Sequence, residues 1–132
     1  MKSGRDTARL FAARAEDDLL VAEACLAHSL PLGPACFHLQ QAAEKLLKAL
    51  LSADEIRAPW THNLWELLAL IEVKHPELGL FRTPLSGFGL YAVDSRYDEL
   101  TDVSVEMVRD DLVVVQRLRE TIHALLPPEA RP

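Results

Sequence analysis

Ala8, Ala12, Ala15, Leu19, Ala22 and Leu26 recur at steps of four, three, four, three and four. That spacing follows the 3.6-residue turn and lays all six on one helical face, with Phe11 beside it. It predicts a helix over residues 5–28, stopped by Ser29-Leu30-Pro31, because proline cannot continue the hydrogen-bond ladder. The same period returns over residues 34–52, where Cys36, Leu39, Ala43, Leu46 and Leu50 form one stripe and Ala35, Ala42 and Ala49 widen it. Pro34 suits a first helical turn. The polar residues His38, Gln41, Lys45 and Lys48 make a narrow stripe opposite, joined by Gln40 and Glu44, and are expected to be solvated. So wide an apolar face predicts contact on more than one side: a central helix, or one that also serves a subunit interface.

A third helix is expected over residues 63–75. Leu64, Leu67, Leu68 and Ile71 face inward, Asn63 and Glu66 stand at capping-box spacing, and Pro76 ends the run. Trp65 is expected in the core and Trp60 in a loop that could meet a partner. Residues 76–102 are the least regular, with a short helix expected over 83–93, capped by Thr83 with Pro84 in its first turn. Residues 94–99 read as a polar corner. Leu112-Val113-Val114-Val115 alone would suit a strand, but Val108, Leu112, Val115, Leu118, Ile122 and Leu125 keep the helical period, which predicts a helix over 104–126. With 132 residues, 6% aromatics and an apolar content dominated by Leu, Ala and Val, the expectation is one domain over residues 1–132. Its fold class is all-α, an antiparallel up-and-down bundle of four long helices plus one short helix.

The formal charge of −6 argues against sequence-independent binding of duplex DNA, which needs a basic footprint. Two cysteines cannot build a disulfide framework. The first residues carry charge where a leader would be apolar, and the longest uncharged stretch, 24–43, is interrupted by Pro31, Gly33 and Pro34. A cytoplasmic chain without a membrane partner is expected.

Few motifs carry chemistry. Cys25, His28, Cys36 and His38 are zinc-ligand types, but Cys36 lies on the apolar stripe and His38 on the polar one, so no metal site is expected. Arg117 and His123 have residue types suited to phosphodiester cleavage, yet six helical steps set them about 120° apart. No Walker loop, dinucleotide-binding glycine pattern, HExxH or GxSxG occurs, and no cofactor is expected. The remaining polar candidates are Lys45, Lys48, His62, Asp94, Arg96 and Tyr97. Arg suits a bidentate phosphate contact, Tyr stacks on a base, and His exchanges a proton near neutral pH.

Residues 35–50, ACFHLQQAAEKLLKAL, together with 61–68, THNLWELL, and 92–97, AVDSRY, resemble the HEPN domain family, named for higher eukaryote and prokaryote nucleotide binding. The resemblance covers about residues 5–126. It implies an up-and-down helical bundle, often a homodimer, and in small stand-alone members a gene neighbour that is a minimal nucleotidyltransferase. Some such pairs act as toxin and antitoxin, the HEPN partner being an RNase that the transferase neutralises by adding nucleotides to a tyrosine, which here points by analogy to Tyr97. RNase members carry Arg, four to six residues, then His at the start of the last helix. Here Arg96 stands near that place, but residues 101–103 are Thr-Asp-Val, and Asp98 replaces a proline often found after Arg-Tyr. The expectation is a weakly or non-catalytic HEPN protein that binds a nucleotide, a nucleotidyltransferase partner, or both. The alternatives are a metal-independent RNase toxin acting on RNA through Arg96 or Arg117 with His62 or His123, and a purely structural dimeric scaffold.

Overall fold

The computed structural model describes residues 3–88 and 103–132. Helix α1 spans Gly4–Ala27. The Ser3 hydroxyl accepts the Asp6 N–H and the Asp6 carboxylate accepts the Ser3 N–H, both at 3.1 Å, so a capping box opens it with Asp in the Glu position. Ala8, Ala12, Ala15, Leu19 and Ala22 are buried, as their spacing predicts, while Leu26 is half-buried.

Helix α2 spans Leu32–Ala53 and begins two residues before the expected start, with Pro34 still in its first turn. It packs against α1, against α3 (Leu64–Glu72) and against α5 (Val105–Leu125). Of the two readings of its wide apolar face, the central-helix one accounts for the burial seen. Leu46, Leu47, Leu50 and Leu51 are all completely buried within the one chain. The start of α1 runs so close to the end of α2 that a Cβ on Gly4 would collide with the Ser52 carbonyl oxygen.

Helices α1 and α2 are each followed by a left-handed residue that is not glycine. Ser29 has φ 52° and Glu55 φ 59°. Each is succeeded by an N–H that reaches back five residues, Leu30 to the Cys25 carbonyl and Ile56 to the Leu51 carbonyl, both at 2.9 Å. A side chain in this conformation costs about 1 kcal/mol, so Ser29→Gly should raise stability by a few tenths to about 1 kcal/mol, as read by urea denaturation. A lower midpoint would mean that Ser29 contributes through its side chain.

The Asn63 side chain caps α3, accepting the N–H groups of Trp65 at 3.0 Å and Glu66 at 3.4 Å. The reciprocal bond of the expected capping box is replaced: the Asn63 N–H donates to the Thr61 hydroxyl at 3.0 Å. Trp65 is not in the core. Leu64, Leu67, Leu68 and Ile71 occupy the inward face, and Trp65, one step of about 100° from Leu64, is turned half out to solvent. Its indole N–H donates to the Arg82 carbonyl at 3.0 Å, and the Arg82 guanidinium lies 5.4 Å from its ring centre. That guanidinium also forks onto Glu72 with two bonds of 2.6 Å.

A 3₁₀ turn, Pro76–Phe81, leads into the short helix α4, Arg82–Leu85. Thr83 therefore lies inside α4 and does not cap it; the 3₁₀ turn runs directly into the helix and leaves no break at residue 83 for a cap. The rest of the expected 83–93 helix beyond residue 88 lies outside the described residues. Helix α5 is capped by the Ser104 hydroxyl, which accepts the Met107 N–H at 3.1 Å. The run at 112–115 is helical throughout, and Val108, Val115, Leu118 and Ile122 are buried. Among the described residues there is no strand. The protein is an all-α bundle, and no described helix is long and apolar enough to cross a membrane.

Candidate functional site

The polar face of α2 is not a solvated stripe. Gln40 and Glu44 are buried, and Lys45 and Lys48 keep only 25% and 13% of their side chains exposed. The reason is that α1 and the start of α3 close over this face from two sides. Asp18 comes from α1, one turn from Ala15 and from Ala22 on its buried face, and is 6% exposed. Its two carboxylate oxygens are divided: one accepts from His38 Nδ1 at 2.8 Å, the other from Lys45 Nζ at 2.6 Å.

Glu44 repeats this arrangement. One oxygen meets His62 Nδ1 at 2.8 Å and the other accepts from Lys48 Nζ at 3.0 Å. Gln40 completes the junction, its amide donating to the His62 carbonyl at 3.2 Å and reaching Glu44 at 3.5 Å, while Gln41 donates to Gln40 at 2.8 Å. The backbone bond from Gln40 fixes the segment before α3, so His62 is held at both its main chain and its ring.

An ionised carboxylate only accepts, so Nδ1 of each imidazole must donate to it. The other ring nitrogen, Nε2, is then the free one: an acceptor in the neutral ring, a donor in the charged ring. His62 is 71% exposed, which leaves that nitrogen open to a ligand. The seam carries two carboxylates against two ammonium groups and two histidines. Each lysine spends a donor on its carboxylate and retains others.

Three of the sequence candidates, Lys45, Lys48 and His62, thus meet in one seam. Asp94, Arg96 and Tyr97 lie outside the described residues. Asp18, His38, Gln40 and Glu44 are not among the sequence candidates, although the sequence puts His38, Gln40 and Glu44 on the polar stripe of α2. A signal was present: Asp18 sits on the alanine face of α1, where an acid requires a partner.

Other polar clusters serve packing. Asp54 at the end of α2 meets Lys74 at 3.2 Å and His75 at 2.7 Å and fastens the end of α3. Cys25 and Cys36 are buried, and no group of three or more metal-ligating side chains is placed together among the described residues. Arg117 is exposed while His123 faces inward, so this pair diverges as the helical geometry predicts.

His123 Nε2 is buried without a hydrogen bond, 3.8 Å from Glu16, which pairs with Arg119. Burial and the nearby Arg119 and Arg131 lower its pKa from the ordinary 6.5, more than Glu16 raises it. A depressed histidine binds a proton more readily when unfolded. Its contribution is therefore complete above about pH 6.5 and is lost as pH falls below that value. His123→Leu should flatten the acid limb of the stability–pH curve between about pH 7 and 5; unchanged slopes would assign that limb to other groups.

The HEPN domain family profile matches residues 8–125 of this chain. The match runs from within α1 to the end of α5, so every residue of the polar seam falls inside it, and the chain belongs to the HEPN domain family. Searches of curated proteins and of solved structures returned no match.

Proposed function

We propose that this protein binds the phosphate of a nucleotide at the seam of Lys45, Lys48 and His62, with Asp94, Arg96 and Tyr97 completing the site. It acts as a homodimer beside a minimal nucleotidyltransferase, as one half of a two-component, toxin–antitoxin-like pair, and is itself weakly or non-catalytic. The observation that supports this reading is the Glu44 carboxylate, which holds Lys48 on one oxygen and aims an exposed His62 with the other. Donors fixed in advance lose little freedom when a phosphate arrives, so binding keeps more of its free energy. HEPN domains often dimerise, which fits the paired reading.

The test is co-purification of neighbours from the native cells, with the intact mass of this chain measured alongside. A recovered nucleotidyltransferase, or a mass increment equal to added nucleotides that disappears in Tyr97→Phe, supports the pair. A strict monomer with no partner and no nucleotide affinity ends it.

One observation favours a second reading. A histidine whose Nδ1 is held by a buried carboxylate is also arranged as a general base, which an RNase needs. That reading expects growth arrest on expression, relieved by His62→Ala; a preparation inert on several single-stranded RNAs counts against it.

A further inference from the structure

We infer that Asp18, His38 and Lys45 form a second anion-binding half of the same seam, and that the ligand carries two linked phosphoryl groups. The inference rests on the proposed phosphate site and extends it through Lys45 to Asp18 and His38, which that site did not include.

The geometry is a repetition. Asp18 divides its oxygens between His38 Nδ1 and Lys45 Nζ, and Glu44 divides its oxygens between His62 Nδ1 and Lys48 Nζ. The two carboxylates come from different helices, the two histidines from different segments, yet both triads have the same composition and the same atom-to-atom connection. Their lysines are three residues apart on α2, which places them side by side with Cβ atoms about 5–6 Å apart. Gln41 is tied to Gln40 beside the Glu44 triad and stands three positions after His38 and four before Lys45 on α2, so the two triads are neighbours on one helix face.

A buried acid requires a partner, and each of these two takes a pair of them. Asp18 and Glu44 are buried, but His38, Lys45 and His62 keep 29%, 25% and 71% of their side chains in solvent. The buried acids hold their partners from below, and the remaining polar groups of His38, Lys45 and His62 have access to solvent, while Lys48 is the most covered of the four. Each triad with a neutral imidazole has no net charge. Selectivity then comes from where the donors point, and two donor pairs at neighbouring positions suit two phosphoryl groups joined through one oxygen better than a single one.

Calorimetry with inorganic pyrophosphate and orthophosphate tests this on the full chain. The wild type should bind pyrophosphate at least about tenfold tighter than orthophosphate. Lys45→Gln should reduce pyrophosphate affinity to about that of orthophosphate, and Lys45→Arg, which keeps the charge and a donor for Asp18, should restore most of it. His38→Gln, whose amide can still donate to Asp18, gives a second variant with an intact carboxylate partner, and melting curves confirm the fold of each. Unchanged pyrophosphate affinity in Lys45→Gln and His38→Gln, with loss in His62→Gln, overturns the second half and leaves a phosphate site of Lys48 and His62 standing. No loss in His62→Gln overturns the phosphate site itself. Equal wild-type affinity for the two anions overturns the linked-phosphate ligand.

Discussion

Replacing Glu44 with Ala should lower the free energy of unfolding by about 3 kcal/mol, because it strands a largely buried ammonium. Lys48 is 13% exposed and Glu44 is its carboxylate partner at 3.0 Å. Removing one member of a buried pair leaves the other charge desolvated, whereas removing both can be nearly neutral. The discriminating variant is therefore the double one. Glu44→Ala with Lys48→Met should recover most of the loss in urea denaturation. If the double variant is as unstable as the single, the stranded charge is not the cause. The same single change also frees the His62 ring, so affinity for orthophosphate should fall with it.

Ala15→Leu should cost a similar amount, about 3 kcal/mol, by overfilling the packing between α1 and α2. Ala8, Ala12, Ala15 and Ala22 are all completely buried, as are Ala35, Ala42, Ala43 and Ala49 on α2. Methyl-sized side chains let the two backbones approach closely, and among the described residues α1 and α2 are the most extensively packed pair of helices. The larger side chain at the middle of α1 has nowhere to go without moving a helix or forcing rotamers. The check is the urea midpoint, with Ala13→Leu, on the exposed side of α1, as the control. A loss under about 1 kcal/mol would mean that the interface has slack.

Much of the fold was legible because periodicity is a property of a whole segment. The ends of α1 and α5 fall within one residue of the expected boundaries, since Ser29-Leu30-Pro31 and Pro127-Pro128 are strong stops and Ser104 is a strong start. Trp65 was misplaced because hydrophobicity alone suggested burial, while its position one step from Leu64 turned it outward. Thr83 was misplaced because residue type marks a cap only where the preceding backbone breaks, and here the 3₁₀ turn runs straight into α4. The site was half legible. Lys45, Lys48 and Glu44 are on one helix and their spacing is readable, but Asp18 and His62 reach them from 27 and 18 residues away, and only packing brings them there.

The short link between α1 and α2, residues 28–31, has a consequence for the order of assembly. Closing a hairpin over so short a link costs little chain entropy, whereas α5 must return to α2 across residues 54–104. The α1–α2 hairpin is therefore the expected nucleus, with α5 docking after the rate-limiting step. In stopped-flow experiments Ala15→Leu should slow refolding, while Val115→Ala should chiefly speed unfolding. Equal partitioning of the two variants between the rates would instead describe a nucleus spread over the whole bundle.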